Sequence, residues 1–165
     1  FGWVYDSIIV DSQGADGDGF GSSLDLKDDV LVVGSPTYTT DVGEAGCVTV
    51  WRLNSMGQWQ FEERLLAEDR VEGDNFGTSL SIDSLGQLLV GSPGRDASGV
   101  DSGIAILYSG GPDGWFESAR FGNNVAQPGD RFGTSVSLLD DYAFIGSPYS
   151  SFSGPFAGQV VSYRK

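Results

Sequence analysis

The sequence predicts an all-β protein in which one four-stranded unit occurs three times. Three observations support this prediction: a phrase that recurs every 56 residues, short apolar runs that end at Gly or Pro, and the lack of any helical periodicity. The recurring phrase is GDGFGSS at Gly17, GDNFGTS at Gly73 and GDRFGTS at Gly129. A fixed period of this length is typical of stacked units that cannot bury their apolar faces alone.

Further landmarks follow the same spacing, with the Trp and Phe residues 56 apart and the GSP triplets 57 and 55 apart. One Trp and one Phe recur in each unit, and a GSP triplet recurs near its middle: Trp3, Trp59 and Trp115; Phe20, Phe76 and Phe132; Gly34, Gly91 and Gly146. We interpret residues 1–165 as one segment with repeat units at about 3–58, 59–114 and 115–165.

Each unit contains four strand-like runs in a constant order. In the middle unit these runs are WQFEERLL, FGTSLSI, LLVGSP and GIAILY, and the other units show LVVGSP and AFIGSP, then GCVTVW and GQVVSY. A repeated four-stranded antiparallel unit with aromatic landmarks predicts a blade of a β-propeller, with three blades in this chain. The Trp and Phe landmarks are then expected to form the hydrophobic joints between blades.

The order of the runs predicts that the sequence starts inside a blade. Residues 1–10 provide an outermost strand with no blade before it, whereas residues 131–165 provide three strands. Propellers usually have 4–8 blades, so three closures are open: two chains in a six-bladed ring, blades swapped into a larger assembly, or further blades of a longer chain. A single isolated chain would expose a strand edge and two apolar faces.

Charge narrows the classes of partner. The chain has 23 acidic and 9 basic residues, no His and a formal net charge of −14, so it repels nucleic acid and anionic lipid headgroups. We therefore expect a protein or glycan partner, with neither nucleic-acid binding nor membrane insertion, although the same charge excess could serve solubility alone. The single cysteine, Cys47, lies in a strand-like run and is expected to be buried.

The motif GDxFG, followed by Ser or Thr and then Ser, with VGSP further on, resembles the FG-GAP repeat of the integrin α-subunit propeller and its extracellular relatives. The resemblance covers nearly the whole chain. It implies that the FG strand is innermost, the GSP strand second, the Gly-led strand third and the Trp strand outermost, and that the protein is extracellular or on the cell surface. The calcium loop of that family is missing, because the matching connections read LKDDV, DSLGQ and LDDY.

With that strand order, the second-to-third and fourth-to-first connections lie on one face of the ring. The three second-to-third connections have equal length but different chemistry, as a binding surface on a rigid scaffold would have, although neutral drift would look the same. More than half of the acidic residues lie in these connections, which favours a basic or cationic partner. The candidate binding residues are Tyr38, Asp41, Glu44, Arg95, Asp96, Asp101, Tyr149, Phe152 and Phe156.

Some of these residues allow a second interpretation. Tyr149, Phe152 and Phe156 form an aromatic group suited to sugar rings or to a protein partner, or to packing against an adjoining chain or blade.

Among the repeated residues, Asp18, Asp74 and Asp130 could surround the axial opening, but capping of their own turns is the favoured role.

No cofactor is expected, apart from weak Ca²⁺ binding at Asp11, Asp16 and Asp18. An enzyme is not favoured, because the chain has no His and its one Cys lies in a predicted strand. We expect a non-enzymatic recognition, adhesion or structural module that binds protein or matrix partners. The alternatives are a carbohydrate-binding or polysaccharide-cleaving propeller and a purely architectural subunit of a surface assembly.

Overall fold

A computed structural model of the chain describes residues 2–165. In this part of the chain every regular element is a strand, and no helix is long and apolar enough to cross a membrane. The strands are β1 (Ser23–Lys27), β2 (Val30–Ser35), β3 (Thr39–Thr40), β4 (Gly43–Glu44), β5 (Cys47–Leu53), β6 (Trp59–Leu65), β7 (Ser79–Ile82), β8 (Gln87–Ser92), β9 (Ile104–Gly111), β10 (Gly114–Phe121), β11 (Ser135–Leu139), β12 (Tyr142–Ser147) and β13 (Gln159–Arg164).

The strands form three main antiparallel sheets, which we name the first, second and third blades. The first blade has the order β1-β2-β5-β6, the second β7-β8-β9-β10, and the third β11-β12-β13, while β3 and β4 form a small separate hairpin. This arrangement confirms the predicted all-β blades and the predicted strand order from the FG strand outward. Apolar runs explain the central strands, since Val32 and Val33 of β2 and the LLV run of β8 are buried.

Two hydrophobic cores lie between the blades. One core joins the first and second blades and contains Phe76, and the other joins the second and third blades and contains Phe132. Both Phe rings are 0% exposed, and Phe76 lies edge-on to Tyr108 with 6.0 Å between ring centroids. Each ring therefore fills the space between two sheets.

Backbone contacts also join the blades closely. A Cβ atom added to Gly34 or Gly91 would lie 2.1 or 1.9 Å from the carbonyl oxygen of Gly77 or Gly133 in the next blade. Only a residue without a side chain permits this approach. Ser79 Oγ donates to the same Gly133 carbonyl at 2.8 Å, as its equivalent Ser23 does to Gly77 at 2.7 Å.

The remaining aromatic landmarks do not behave alike. Trp115 packs against the first core, and its backbone N–H donates to Glu63 Oε2 of the first blade at 3.1 Å, so it lies at a joint. Trp59 and Phe20 are only partly buried, and Phe20 lies edge-on to Trp51. Trp3 is fully exposed, so the prediction that it forms a joint is wrong for this chain.

The predicted outermost strand at residues 1–10 does not form in the described part, which begins at residue 2. Its pairing partner in the propeller arrangement is the third strand of a preceding blade, and no blade precedes the first one within these residues. Residues 6–10 instead line a cleft with Trp51 and Trp59 at the outer end of the first blade. At the other end, β13 pairs with β12 and has no second strand partner within residues 2–165.

Candidate binding face

The loops named in the sequence prediction lie together where the blades meet. We call this surface the loop face; it comprises the second-to-third connections at 36–46, 93–103 and 148–158 and the connections that enter the innermost strands at 11–22, 66–78 and 122–134. Parallel bridges between Gly46 and Phe76, and between Gly103 and Phe132, fasten the loop of one blade to the entry of the next. The loops are therefore positioned by the blade joints.

Ion pairs across the same joints hold two of the predicted binding residues. Arg70 Nε donates to Asp41 Oδ1 at 2.9 Å, and Arg131 Nη2 donates to Asp101 Oδ2 at 3.1 Å. In each pair the carboxylate comes from a second-to-third loop and the guanidinium from the entry to the next blade. Hydrogen bonding by Arg70 lowers the pKa of the Asp41 carboxyl below its ordinary value, so this group is ionised at neutral pH.

Arg95 is tied into a network within the second blade. Its Nη1 donates to Asp74 Oδ2 at 2.7 Å and its Nη2 donates to Asp69 Oδ2 at 2.6 Å. Arg120, on the outermost strand β10, donates to the same Asp69 oxygen at 2.7 Å, and this hydrogen bond lowers the pKa of the Asp69 carboxyl. Because its charge is neutralised inside the protein, Arg95 adds little positive potential to the loop face.

The carboxylates that recur with the repeat, Asp18, Asp74 and Asp130, are almost completely buried. Each accepts the backbone N–H of the residue three positions before it: Ala15 to Asp18 at 2.6 Å, Val71 to Asp74 at 2.8 Å, and Gln127 to Asp130 at 2.9 Å. This is the geometry of a side chain that closes its own turn. Within residues 2–165 no three carboxylate, thiol or imidazole groups form a set that could hold a metal ion.

The structure does not bring the predicted calcium ligands together. The Asp11 side chain is 5% exposed and forms an ion pair with Arg64 of β6. Asp18 accepts backbone N–H groups, whereas Asp16 is exposed. The Arg64 guanidinium also stacks on Tyr38, 4.6 Å from the ring centroid. In the described residues these three carboxylates do not form a metal site, because Asp11 fastens the N-terminal segment to the first blade, and weak Ca²⁺ binding stays a prediction.

A groove of about 310 Å³ opens on the loop face of the second blade. It brings together three predicted residues, Arg95, Asp96 and Asp101, and adds Glu72 from the entry connection. Asp96 Oδ1 accepts the N–H of Asp101 at 2.8 Å, which fixes the loop shape. The groove is lined by Val71, Glu72, Gly73, Asp74, Gly94, Arg95, Asp96, Val100 and Asp101.

Two apolar residues of this groove were missed by the sequence prediction. Val71 and Val100 are both exposed in the structure, although they lie in different connections. The only signal in the sequence was an isolated Val in each of two otherwise polar loops, RVEGD and SGVDS. Such a signal does not show that the two side chains line one groove.

The other predicted binding residues do not line this groove. Glu44 is exposed beside the joint of the first and second blades, where its carbonyl accepts the Gly73 N–H at 2.8 Å. Tyr149, Phe152 and Phe156 are exposed in the second-to-third loop of the third blade. The matching loops of the first two blades are bridged to a following blade, which the third blade lacks within the described residues.

Consecutive antiparallel sheets of four, four and three strands, joined by buried Phe-Gly landmarks and with the described loops on one face, define a segment of a β-propeller. The family model for the FG-GAP repeat matches three stretches, residues 3–48, 59–108 and 115–160. The chain belongs to the FG-GAP repeat family. No curated protein matches it significantly. Modules of this family are generally non-enzymatic and are often involved in binding or adhesion.

Proposed function

We propose that this chain is a non-enzymatic, extracellular or cell-surface recognition module that binds a basic segment of a protein partner through the groove on its loop face. The observation that carries the proposal is that the groove contains both carboxylates without an ion-pair partner, Glu72 and Asp96, and exposed apolar side chains, Val71 and Val100. Among residues 2–165, neither Glu72 nor Asp96 forms an ion pair, and both are exposed.

The chemistry of the groove suits Lys or Arg side chains. The carboxylates of Glu72 and Asp96 attract the cationic end, while Val71 and Val100 can pack against the methylene stem. The formal net charge of −14 adds long-range attraction for a basic partner. A rigid position supports affinity as well, because the loops are fastened by backbone bridges and lose little conformational entropy on binding.

A binding assay with defined peptides tests this proposal. The probes are a fluorescent Lys/Arg-rich peptide and an otherwise similar Glu-rich peptide, followed by fluorescence anisotropy at two salt concentrations. We expect the chain to bind only the basic peptide, with an affinity that falls as salt screens the charges. Equal binding of both peptides, or of neither, would contradict the proposal.

Matched variants locate the site. The double variant Glu72→Gln with Asp96→Asn should weaken binding of the basic peptide by about tenfold or more, since it removes both exposed carboxylates of the groove. The control is Asp28→Asn with Asp113→Asn, which removes the same charge from exposed turns outside the loop face. If the control weakens binding as much as the groove variant does, only the net charge matters and the groove is not the site.

A second candidate function is saccharide binding by the third blade. Tyr149, Phe152 and Phe156 are 51%, 73% and 74% exposed in one loop, and aromatic rings at this exposure can stack on sugar rings. A glycan array with wild type and with the double variant Phe152→Ala and Phe156→Ala tests this candidate. Saccharide binding that the double variant abolishes supports it, and release of reducing ends from the bound glycan would also overturn the non-enzymatic assignment.

A further inference from the structure

A second groove lies at the outer rim of the joint between the first and second blades. We call it the rim groove; it has a volume of about 380 Å³ and lies between the outermost strands of the two blades, β6 and β10. Both blades contain all four strands, so this groove belongs to a complete internal joint. Its lining includes Glu63, Glu68, Tyr108, Trp115 and Glu117.

Tyr108 of β9 is the buried polar residue of the rim groove. It is 4% exposed, and within residues 2–165 no group forms a hydrogen bond with its buried hydroxyl. The charges of Glu117 and Glu68 act on this hydroxyl, which places it on the side of the ring that faces the groove. Burial raises the pKa of the Tyr108 phenol well above its ordinary value, so the group stays protonated at neutral pH.

The next joint shows how the same hydroxyl is satisfied elsewhere in the chain. Tyr108 and Tyr163 occupy equivalent positions, because they pair with Leu88 and Ala143, each three residues before the glycine of a GSP triplet. The Tyr163 hydroxyl donates to the Gly122 carbonyl at 2.8 Å. Buried hydroxyls normally have such a partner, so the unpaired one of Tyr108 points to a ligand in the rim groove.

The carboxylates of the groove carry unbalanced charge. Glu117 is paired with Arg120, and the guanidinium of Arg64, which also lines the groove, is paired with Asp11. Within residues 2–165, neither Glu63 nor Glu68 forms an ion pair. Glu63 accepts the Trp115 N–H through Oε2, which leaves Oε1 as a further acceptor, and Glu68 is exposed. The groove therefore favours a cation that brings several hydrogen-bond donors.

These carboxylates are not part of the repeated framework. Glu63 and Glu68 correspond to Ala119 and Asn124, since the Trp landmarks of β6 and β10 are 56 residues apart. Ala119 packs against the core between the second and third blades. A joint of this kind therefore forms without carboxylates at the two positions, and packing alone does not account for them.

We propose that the rim groove binds a primary alkylammonium group. Its N–H donors bond to the Glu63 and Glu68 carboxylates and to the phenolic oxygen of Tyr108, and its alkyl chain lies near the Trp115 ring. A metal ion fits less well, because within residues 2–165 no three carboxylate, thiol or imidazole groups form a set that could hold one. The rim groove shares no residue with the groove on the loop face, so this inference is independent of the proposed function.

Titration of the full chain with small amines, followed by nitrogen–proton correlation NMR, tests this site. The reporter is Trp115, whose backbone and indole N–H groups donate to Glu63 and Glu62. The probes are cadaverine, which is a five-carbon diamine, the side-chain analogue Nα-acetyl-lysine amide, and the uncharged pentanediol. We expect saturable shifts of the Trp115 signals with both amines and none with pentanediol.

The two amines distinguish the possible sources of the ammonium group. Tighter binding of Nα-acetyl-lysine amide supports a lysine side chain of a protein, and tighter binding of cadaverine supports a free amine. Equal shifts with pentanediol would show that hydroxyl groups suffice and would overturn the proposal. The absence of any Trp115 shift with either amine would overturn it as well.

Two variants identify the groups that bind. Glu68→Gln removes one exposed carboxylate and Tyr108→Phe removes only the hydroxyl; each should weaken amine binding by about tenfold. The melting temperature of Tyr108→Phe should be equal to or higher than that of the wild type, because the change removes an unpaired buried polar atom. A lower melting temperature would show that this hydroxyl already has a partner in the protein, and the proposal would fail.

Matched controls separate the rim groove from general effects. Tyr163→Phe removes a hydroxyl that has a partner, so it should lower the melting temperature but leave amine binding at Trp115 unchanged. Glu72→Gln with Asp96→Asn removes two charges from the groove on the loop face and should leave the Trp115 titration unchanged. If this double variant weakens the titration as much as Glu68→Gln does, the net charge alone attracts the amine and the rim groove is not the site.

Discussion

The ring of Phe76 allows a quantitative test of the joint between the first and second blades. Its side chain is fully buried in the core and lies edge-on to Tyr108. The neighbouring backbones are held by the Gly46–Phe76 bridge and by the Phe76 N–H, which donates to the Ala45 carbonyl at 3.0 Å, so the sheets cannot collapse freely into a cavity. Phe76→Ala should therefore lower the free energy of unfolding by about 3–5 kcal/mol.

Urea and thermal unfolding, followed by circular dichroism, measure this loss. For a chain of 165 residues the expected fall in melting temperature is about 6–20 °C. Phe132→Ala should have a similar effect, because Phe132 is equally buried between the second and third blades. The matched control is Phe152→Ala, which removes an exposed ring and should change stability by less than about 0.5 kcal/mol.

An unchanged melting temperature for Phe76→Ala would refute the assignment of this ring to the joint. An equal loss for Phe152→Ala would refute it as well, since the effect would then depend on losing an aromatic ring anywhere in the chain. The two variants differ in burial alone, so their difference measures what the blade contact contributes.

Other predictions follow from single contacts. Arg95→Ala should cost about 2–4 kcal/mol in urea unfolding, because it leaves the buried Asp74 carboxylate unpaired, whereas Arg52→Ala removes two solvent-accessible ion pairs, with Asp29 and Glu62, and should cost less than about 1 kcal/mol. Gly91→Ala should cost about 3 kcal/mol or prevent folding, since its Cβ would overlap the Gly133 carbonyl, 1.9 Å away; a stable variant with native circular dichroism would contradict the close approach. Burial raises the pKa of the Cys47 thiol from 9.0 to about 11, so the unfolded chain loses this proton first as pH rises. Stability should consequently fall by about 2–3 kcal/mol between pH 9 and pH 11, and this part of the loss should be missing in Cys47→Ala.

The repeat spacing predicted the blades because each landmark has a local physical reason. Phe76 and Phe132 precede their GSP triplets by 15 and 14 residues, and an apolar ring at a nearly fixed place in each sheet has to be buried. Asp74 precedes its strand at a position where a carboxylate can accept a backbone N–H three residues away, so its turn-closing role depends on local sequence. These features do not depend on what lies at the ends of the chain.

The features that the sequence did not reveal depend on contacts between distant segments. Asp11 looked like a metal ligand from its acidic neighbours, but it is paired with Arg64, which is 53 residues away. Asp41 and Arg70 likewise meet only because one blade packs on the next. Trp3 follows the repeat exactly in sequence, yet it is exposed because the sheet that would receive it is not part of the described residues.

The close backbone approach at Gly34 and Gly91 has a consequence for how the blades can vary. These contacts are made with main-chain carbonyl groups, which every unit has. They therefore set the angle and separation of adjacent sheets independently of the other side chains. The side chains in between can then differ in shape, as Leu80 and Val136 do at one repeated position, without altering the pitch of the stack. A unit with this geometry can be duplicated or exchanged as a cassette, with its loops diversified independently.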